Sequence, residues 1–96
     1  MPDRSISITD VRLYPGSWRD VRAGLIGWVT FVVGGALRVD GVALRRTRDG
    51  RFSLSFPVAK YTPESEYHVI RPVDDEARRE IERQILAALD LEDPAA

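Results

Sequence analysis

Residues 21–33, with the sequence VRAGLIGWVTFVV, constrain the fold more than any other stretch of the chain. Their β-branched and aromatic side chains favour a strand. One parity carries Ala23, Leu25, Val29, Phe31 and Val33, and the other carries Ile26, Trp28 and Val32. Both faces of this strand are therefore apolar, and we expect both to be covered. One helix of the chain can cover one face, and we expect a second subunit to cover the other.

Strand and turn patterns continue on both sides of this stretch. A first strand is predicted over residues 5–13, with a bulge near residues 9–10, because the apolar parity changes there. Residues 14–20 contain a proline–glycine pair and predict a loop. Gly34-Gly35 predicts a two-residue hairpin turn, because glycine adopts positive φ angles freely.

The middle of the chain predicts a second hairpin. Residues 36–47 favour a strand with a bulge or tight bend at Asp40-Gly41, and residues 48–50 favour a turn. Residues 51–57 then alternate between large apolar side chains and serines, which is typical of a strand with one buried face. Pro57 ends this strand because it has no N–H to donate.

A helix is predicted at the C-terminal end. Residues 58–66 favour a loop and residues 67–73 a short strand that ends at Pro72. A helix follows over about residues 74–91, with Asp74 as its cap. Its predicted buried stripe is Ala77, Ile81, Ile85, Ala88 and Leu89. The predicted fold class is α+β, a single domain over residues 1–96 with an antiparallel sheet of about five strands in the order β-β-β-β-β-α.

Charge is unevenly distributed along the 96 residues, although the formal net charge is only −1. Residues 36–60 hold six basic and two acidic side chains, a net charge of +4. Residues 74–93 hold three basic and eight acidic side chains, a net charge of −5. The total charge hides this separation of a basic segment from an acidic one.

The composition also limits where the protein works. There is no cysteine, which excludes a disulfide framework and a thiolate metal site. The N-terminal sequence lacks the apolar core of a signal peptide. The longest nearly uncharged stretch, residues 23–37, is too short for a membrane helix of about 20 residues. We therefore expect a cytoplasmic protein without membrane contact.

Few residues favour catalysis. His68 is the only histidine, lies in a predicted strand and has no cysteine to join it in a metal site. The glycines of residues 24–27 and 34–35 lie within or between strands, not before a helix, so they do not form a phosphate-binding loop. We expect a protein that is not an enzyme and that uses no cofactor and no metal.

An arginine-rich hairpin is the best candidate for a binding site. Arg45, Arg46, Arg48 and Arg51 flank the turn, so we expect their guanidinium groups at one end of the sheet. A guanidinium group donates two parallel hydrogen bonds to a phosphate, which favours an anion-binding site. The same pattern is also typical of a hairpin whose charges only prevent aggregation at a sheet edge, and spacing alone does not separate the two interpretations.

Five stretches of the chain together resemble the SpoVG septation-regulator family of small bacterial proteins. They are ITDVRL (residues 8–13), FVV (31–33), LRVDG (37–41), FPVAKYTPESEY (56–67) and RPVDDEARREIERQIL (71–86). The similarity spans roughly residues 6 to 90. It implies a dimer built from an antiparallel sheet and a C-terminal helix, and a regulator that binds DNA and RNA and is not an enzyme.

The resemblance carries over unevenly to individual residues. Lys60, Thr62 and Pro63 match a lysine-x-threonine-proline loop whose basic residues are implicated in nucleic-acid contact. The departures are Tyr61 in place of an arginine, Glu64-Ser65 in place of a glycine-containing turn, and Arg71-Pro72 in place of histidine-proline. The segment of residues 41–57 is also several residues longer, and this extra length contains the arginine-rich turn.

Two functional hypotheses follow. The first is a homodimeric nucleic-acid-binding regulator of septation or development. Its expected nucleic-acid contacts are Arg45, Arg46, Arg48, Arg51, Lys60, Tyr61 and Arg71. The second is a protein–protein interaction module of the cell-division or developmental machinery, which docks protein partners through the acidic helix and the exposed hairpin.

Overall fold

Two antiparallel sheets and two helices make up the computed structural model, which describes residues 6–91. The elements are β1 (Ile8–Pro15), α1 (Trp18–Arg22), β2 (Leu25–Val33), β3 (Leu37–Arg46), β4 (Phe52–Ser55), β5 (Val58–Thr62), β6 (Ser65–His68) and α2 (Asp75–Ala88). Strands β1 to β4 form one sheet in chain order, and β5 pairs with β6 in the second sheet. The α+β class is thus confirmed. Within residues 6–91, neither helix has the length and hydropathy needed to cross a bilayer.

Three irregular points of the four-stranded sheet lie where the sequence predicts them. The pairing of β1 with β2 shifts register after Thr9, and Asp10 has a φ of 52°. The pairing of β2 with β3 shifts at Gly41, whose φ is 75°. Gly34 and Gly35 form the β2–β3 turn with φ angles of 60° and 66°. Residue 5, the start of the predicted first strand, lies outside the described residues.

The predicted loop of residues 14–20 is wrong, because β1 extends to Pro15 and a five-residue helix, α1, follows. Ser17 caps this helix: its hydroxyl accepts a hydrogen bond from the Asp20 N–H, and the Asp20 carboxylate accepts one from the Ser17 N–H. This reciprocal arrangement is a capping box. A helix this short has too few turns to show an apolar period in the sequence.

The predicted loop of residues 58–66 is also wrong. Strand β5 occupies most of it and pairs with β6, so the fold has six strands in two sheets. The predicted strand over residues 67–73 ends at His68. Ala59 is half-buried, and the other β5 and β6 side chains that the structure describes are exposed. The hairpin therefore shows no apolar alternation, which is the signal that predicts a strand.

Helix α2 covers one face of the four-stranded sheet. Its cap is Asp74, as predicted, and Ile85 and Leu86 pack into a core formed by apolar residues of β2, β3 and β4. Arg78 and Gln84 tie the helix to the sheet through hydrogen bonds to the backbone. Of the predicted stripe, Ala77 and Ile85 are buried and Ile81 and Leu89 are half-buried. Ala88 is exposed, and Leu86 takes its place in the core.

The opposite face of this sheet, which we call the open face, is not covered by α2. It carries Arg12, Tyr14, Trp28, Thr30, Val32, Arg38, Asp40, Ala43 and Arg45. The predicted assignment of Ile26 to this face is wrong, because it packs against the core. The register of β2 with β3 shifts between Leu25 and Gly27, and this shift interrupts the alternation of side chains.

Candidate nucleic-acid interface

The turn between β3 and β4 is closed by hydrogen bonds of Thr47. Its N–H donates to the Arg51 carbonyl oxygen at 2.8 Å, and its hydroxyl oxygen accepts from the Arg51 N–H at 3.1 Å. The Gly50 N–H donates to the Thr47 carbonyl oxygen at 3.0 Å. These bonds fix the backbone of the turn and hence the position from which its arginines project.

The four arginines of this hairpin lie at one end of the sheet, but they project from both of its faces. Arg45 pairs with Ser53 and Arg46 pairs with Phe52, so these two neighbours point in opposite directions. The Arg46 guanidinium lies 5.2 Å from the centroid of the Phe52 ring. Arg45 and Arg48 are exposed and form no salt bridge with any carboxylate of residues 6–91.

Asp49 is the one acidic side chain of the turn. The hydroxyl of Thr47 donates a hydrogen bond to its carboxylate, and this bond, helped by backbone N–H groups and the charge of Arg51, lowers the pKa of Asp49. The Arg51 Nε lies 3.5 Å from the same carboxylate. Asp49 therefore stays ionised at neutral pH and pairs with Arg51, while Arg45 and Arg48 have no such partner in the part of the chain that the structure describes.

Helix α1 adds two arginines to this end of the sheet. Gly24, two residues after the helix, accepts a hydrogen bond from the Arg46 N–H at 2.7 Å, so the last turn of α1 lies beside the end of β3. The guanidinium groups of Arg19 and Arg22 lie 5.3 Å and 5.9 Å from the centroid of the Trp18 ring. These two arginines were not among the predicted contacts, although the serine and aspartate at residues 17 and 20 are a capping signal for the helix that carries them.

We call this region the arginine end. It carries Arg19, Arg22, Arg45, Arg46, Arg48 and Arg51. Its two acidic side chains are Asp20, which caps α1, and Asp49, which pairs with Arg51. Six arginines against two aspartates leave a net formal charge of +4. Clustered guanidinium groups of this kind suit the phosphates of an anionic polymer.

The open face continues from the arginine end and carries a shallow depression of about 310 Å³, lined by Arg12, Tyr14, Thr30, Arg38 and Asp40. The Thr30 hydroxyl donates a hydrogen bond of 2.6 Å to the Asp40 carboxylate. The Thr30 hydroxyl oxygen also accepts a hydrogen bond of 3.4 Å from the Arg38 guanidinium. Thr30 is only 7% exposed, so the hydroxyl that makes both hydrogen bonds lies within the surface of the sheet.

The remaining predicted contacts lie on and after the β5–β6 hairpin. The Lys60 Nζ lies 3.8 Å from a carboxylate oxygen of Glu66, its cross-strand neighbour. Arg71 is exposed after the hairpin, and the side chain of Tyr61 lies outside what the structure describes. No hydrogen bond or ion pair between described residues joins Lys60 or Arg71 to the arginine end. The structure thus brings the four hairpin arginines together at one end of a sheet.

Comparison with known proteins gives no match: neither a protein-family model nor a curated protein matches this chain. Within residues 6–91, no three His, Asp or Glu side chains are grouped so as to hold a metal ion. The positions and charges of the chain's own side chains therefore carry the functional proposal.

Proposed function

We propose that this chain is a homodimeric regulatory protein that binds nucleic acid and contacts phosphates through the arginine end. The observation that carries the proposal is the pair Arg45 and Arg48. Both are exposed in a cluster of six arginines and have no carboxylate partner within residues 6–91. Like charges held close together destabilise a fold unless an anion compensates them. A nucleic-acid backbone supplies such anions at regular spacing.

The arginine end also suits a polymer better than a single small anion. Its guanidinium groups project from both faces of the sheet and from α1, so they can contact several phosphates in a row. Contacts of this kind position a protein on nucleic acid without reading its sequence. Base contacts then come from a neighbouring surface.

The exposed apolar residues of the β5–β6 region support the homodimer. They are Val58, Tyr67, Val69, Ile70 and Val73. An isolated two-stranded hairpin is marginally stable in water, and none of the hairpin side chains that the structure describes belongs to the core cluster. A second copy of the chain that packs on this hairpin would remove these side chains from water, and a two-fold interface would carry two arginine ends on one assembly.

The five stretches similar to the SpoVG family support a role in septation or developmental regulation. In that family the lysine loop is implicated in nucleic-acid contact. Here Lys60 is engaged with Glu66, and the longer β3–β4 segment carries the unpaired cations. We propose that the arginine end takes over the phosphate contact that the loop makes in the family.

Binding measured against salt tests this proposal. The protein is titrated with mixed-sequence DNA and RNA oligonucleotides at low and moderate salt, and its mass is determined by light scattering. We expect a dimer whose log affinity falls linearly with log salt. Replacing Arg45 and Arg48 by alanine should reduce the magnitude of that slope by roughly 1.5 to 2 per bound protomer.

A charge-matched variant controls for the loss of positive charge. Arg79→Ala with Arg83→Ala removes two charges from exposed positions of α2, and we expect its slope to stay close to that of the wild type. Equal slopes for all three proteins would remove the arginine end from the mechanism. A protein that binds neither DNA nor RNA at low salt would overturn the proposed function itself.

The apolar β5–β6 region also favours a second candidate, a protein–protein interaction module. In that case the hairpin docks a different protein rather than a second copy of this chain. A stable monomer in light scattering, without affinity for nucleic acid at low salt, would favour this candidate over the first. A dimer with salt-dependent affinity would exclude it as the main function.

A further inference from the structure

We infer that the open face is a stacking surface for unpaired bases, so that the nucleic acid bound by this protein is single-stranded. This inference rests on the proposed function and adds the substrate class to it. The arginine end supplies phosphate contacts, and the open face begins beside it, because Arg45 belongs to both. A strand held at the arginine end therefore extends directly onto the open face.

Two aromatic side chains are exposed next to each other on this face. Tyr14 of β1 pairs directly with Trp28 of β2, and the two are 57% and 45% exposed. Cross-strand partners in an antiparallel pair have Cβ atoms about 5 Å apart. The two aromatic side chains therefore start from adjacent positions on this face, and both are in contact with water. Sheet faces that carry such rings stack two or three bases in single-strand-binding domains.

Trp18 differs from this pair, because its ring already lies near cations of the same chain. It is 65% exposed, but guanidinium groups of Arg19 and Arg22 lie near its ring. Among the described residues, no guanidinium group lies over the ring of Tyr14 or Trp28. The aromatic pair on the open face is thus available to a ligand.

Cations lie on both sides of the aromatic pair. Arg45 lies two residues along β3 from Ala43, the cross-strand partner of Trp28. Arg12 and Arg38 lie on the other side, around the depression described above. From Arg45 to Arg38 the strand spans roughly 20 Å at about 3.3 Å per residue. Phosphates can contact the arginines along this path while bases stack between them.

Charge favours nucleic acid over a second copy as the occupant of the open face. Two copies packed face to face about a two-fold axis would bring the arginines of one open face towards those of the other. The acidic side chain of the depression, Asp40, is already engaged by the Thr30 hydroxyl. An anionic strand meets the arginines without this repulsion.

The geometry also favours unpaired bases over a duplex. In a duplex the faces of the bases are stacked on each other, and a side chain reaches only their edges in a groove. The aromatic pair on the sheet binds by stacking on the face of a base, which a duplex does not expose. It therefore binds bases that are free to leave the stack, as single strands allow.

The two tryptophans of the chain make a direct test possible. Trp18→Phe leaves Trp28 as the only tryptophan, and Trp28→Phe leaves only Trp18. Each protein is titrated with a ten-nucleotide single strand of mixed sequence and with the duplex of the same sequence. We expect the single strand to quench Trp28 fluorescence strongly at saturation, and the duplex to leave it nearly unchanged.

Affinity gives the second readout. Trp28→Ala and Tyr14→Ala should each weaken single-strand affinity by about 5- to 100-fold. The slope against salt should stay the same, because no phosphate contact is lost. Trp28→Phe and Tyr14→Phe keep a ring in place and should recover most of the affinity, which separates lost stacking from lost folding.

The outcomes distinguish this inference from the proposed function. If the wild type binds single strands and the Trp28→Ala and Tyr14→Ala variants bind them equally well, the inference is overturned and phosphate binding at the arginine end still stands. If Trp28→Ala instead converts a dimer to a monomer without changing affinity, the open face belongs to a second copy and the inference is again overturned. A wild type that binds neither ligand overturns both.

Discussion

The two faces of the four-stranded sheet are formed by the same strands, but they differ in the side chains they carry and in how deeply these are buried. On the covered face, Val29, Phe31, Val42 and Leu44 are almost completely buried beneath α2. On the open face, the same strands present arginines and exposed aromatic rings. The alternation of a β-strand sends neighbouring residues to opposite faces, so it separates residues that stabilise the fold from residues available for binding.

The two faces should therefore respond differently to substitution. Changes on the covered face remove apolar contacts and lower the free energy of unfolding. Changes on the open face leave folding largely intact and alter the affinity for nucleic acid. Substitutions on each face test this difference.

The largest effect is expected from Ile85→Ala in α2. Ile85 is fully buried against the sheet, so this change should lower the free energy of unfolding by about 2–5 kcal/mol. Arg12→Ala on the open face, an exposed edge-strand position, should change it by no more than about 0.5 kcal/mol. Urea denaturation measures both, and equal losses would contradict the division between the faces.

A smaller loss of stability is expected from Gln84→Ala. The Gln84 amide nitrogen donates to the Ile6 carbonyl oxygen at 2.6 Å, and its oxygen accepts from the Ile8 N–H at 3.1 Å. Losing both bonds should cost about 1–3 kcal/mol in the free energy of unfolding. Gln84→Glu keeps the acceptor for the Ile8 N–H but sets a second acceptor oxygen against the Ile6 carbonyl oxygen, so it should not restore the lost stability. If neither variant changes the urea midpoint, the attachment of α2 to β1 does not depend on this side chain.

On the open face, Asp40→Asn should raise affinity for nucleic acid. The change removes the negative charge beside Arg38 and keeps an oxygen that can accept the Thr30 hydrogen bond. We expect affinity to rise about 2- to 5-fold, which corresponds to the interaction free energy of one exposed charge pair. Asp75→Asn on α2 removes the same charge elsewhere and should have less effect. Equal gains for the two variants in a binding titration would show that only net charge matters.

The smallest effect concerns the pH response of the arginine turn. Thr47→Val removes the hydroxyl that lowers the pKa of Asp49, so that pKa should rise towards its ordinary value. A lowered pKa stabilises the fold above the unfolded-state pKa, and this effect is lost as the pH falls through the folded-state pKa. The change should therefore lower the free energy of unfolding at neutral pH, and this loss should disappear in acid. A carboxyl titration by NMR measures the shift. An unchanged Asp49 pKa would contradict the role given to Thr47.

Much of the four-stranded sheet could be predicted from sequence, because its signals are local. Alternation, glycine turns and the parity change near Asp10 mark strands and bulges wherever they occur. Asp74 and the helical spacing of apolar residues mark α2 in the same way. The β5–β6 hairpin could not be predicted, because exposed strands carry no apolar alternation.

The candidate site could be predicted only in part, for a related reason. The four arginines of the β3–β4 hairpin are neighbours in sequence, so their clustering at one end of the sheet could be predicted from their spacing. The contribution of α1 depends on the hydrogen bond from Arg46 to Gly24, across 22 residues of chain. The pairing of Tyr14 with Trp28 depends on the register that the β1 bulge sets. Sequence spacing does not give such tertiary contacts.

The most direct test of the central claim is an NMR titration of the ¹⁵N-labelled protein with a short single-stranded oligonucleotide. We expect the backbone amides of residues 45–51 and the indole N–H of Trp28 to shift on binding, and the amides of exposed α2 residues such as Arg79 and Arg83 to stay in place. Shifts confined to α2 and the β5–β6 hairpin, with residues 45–51 and Trp28 unchanged, would contradict it.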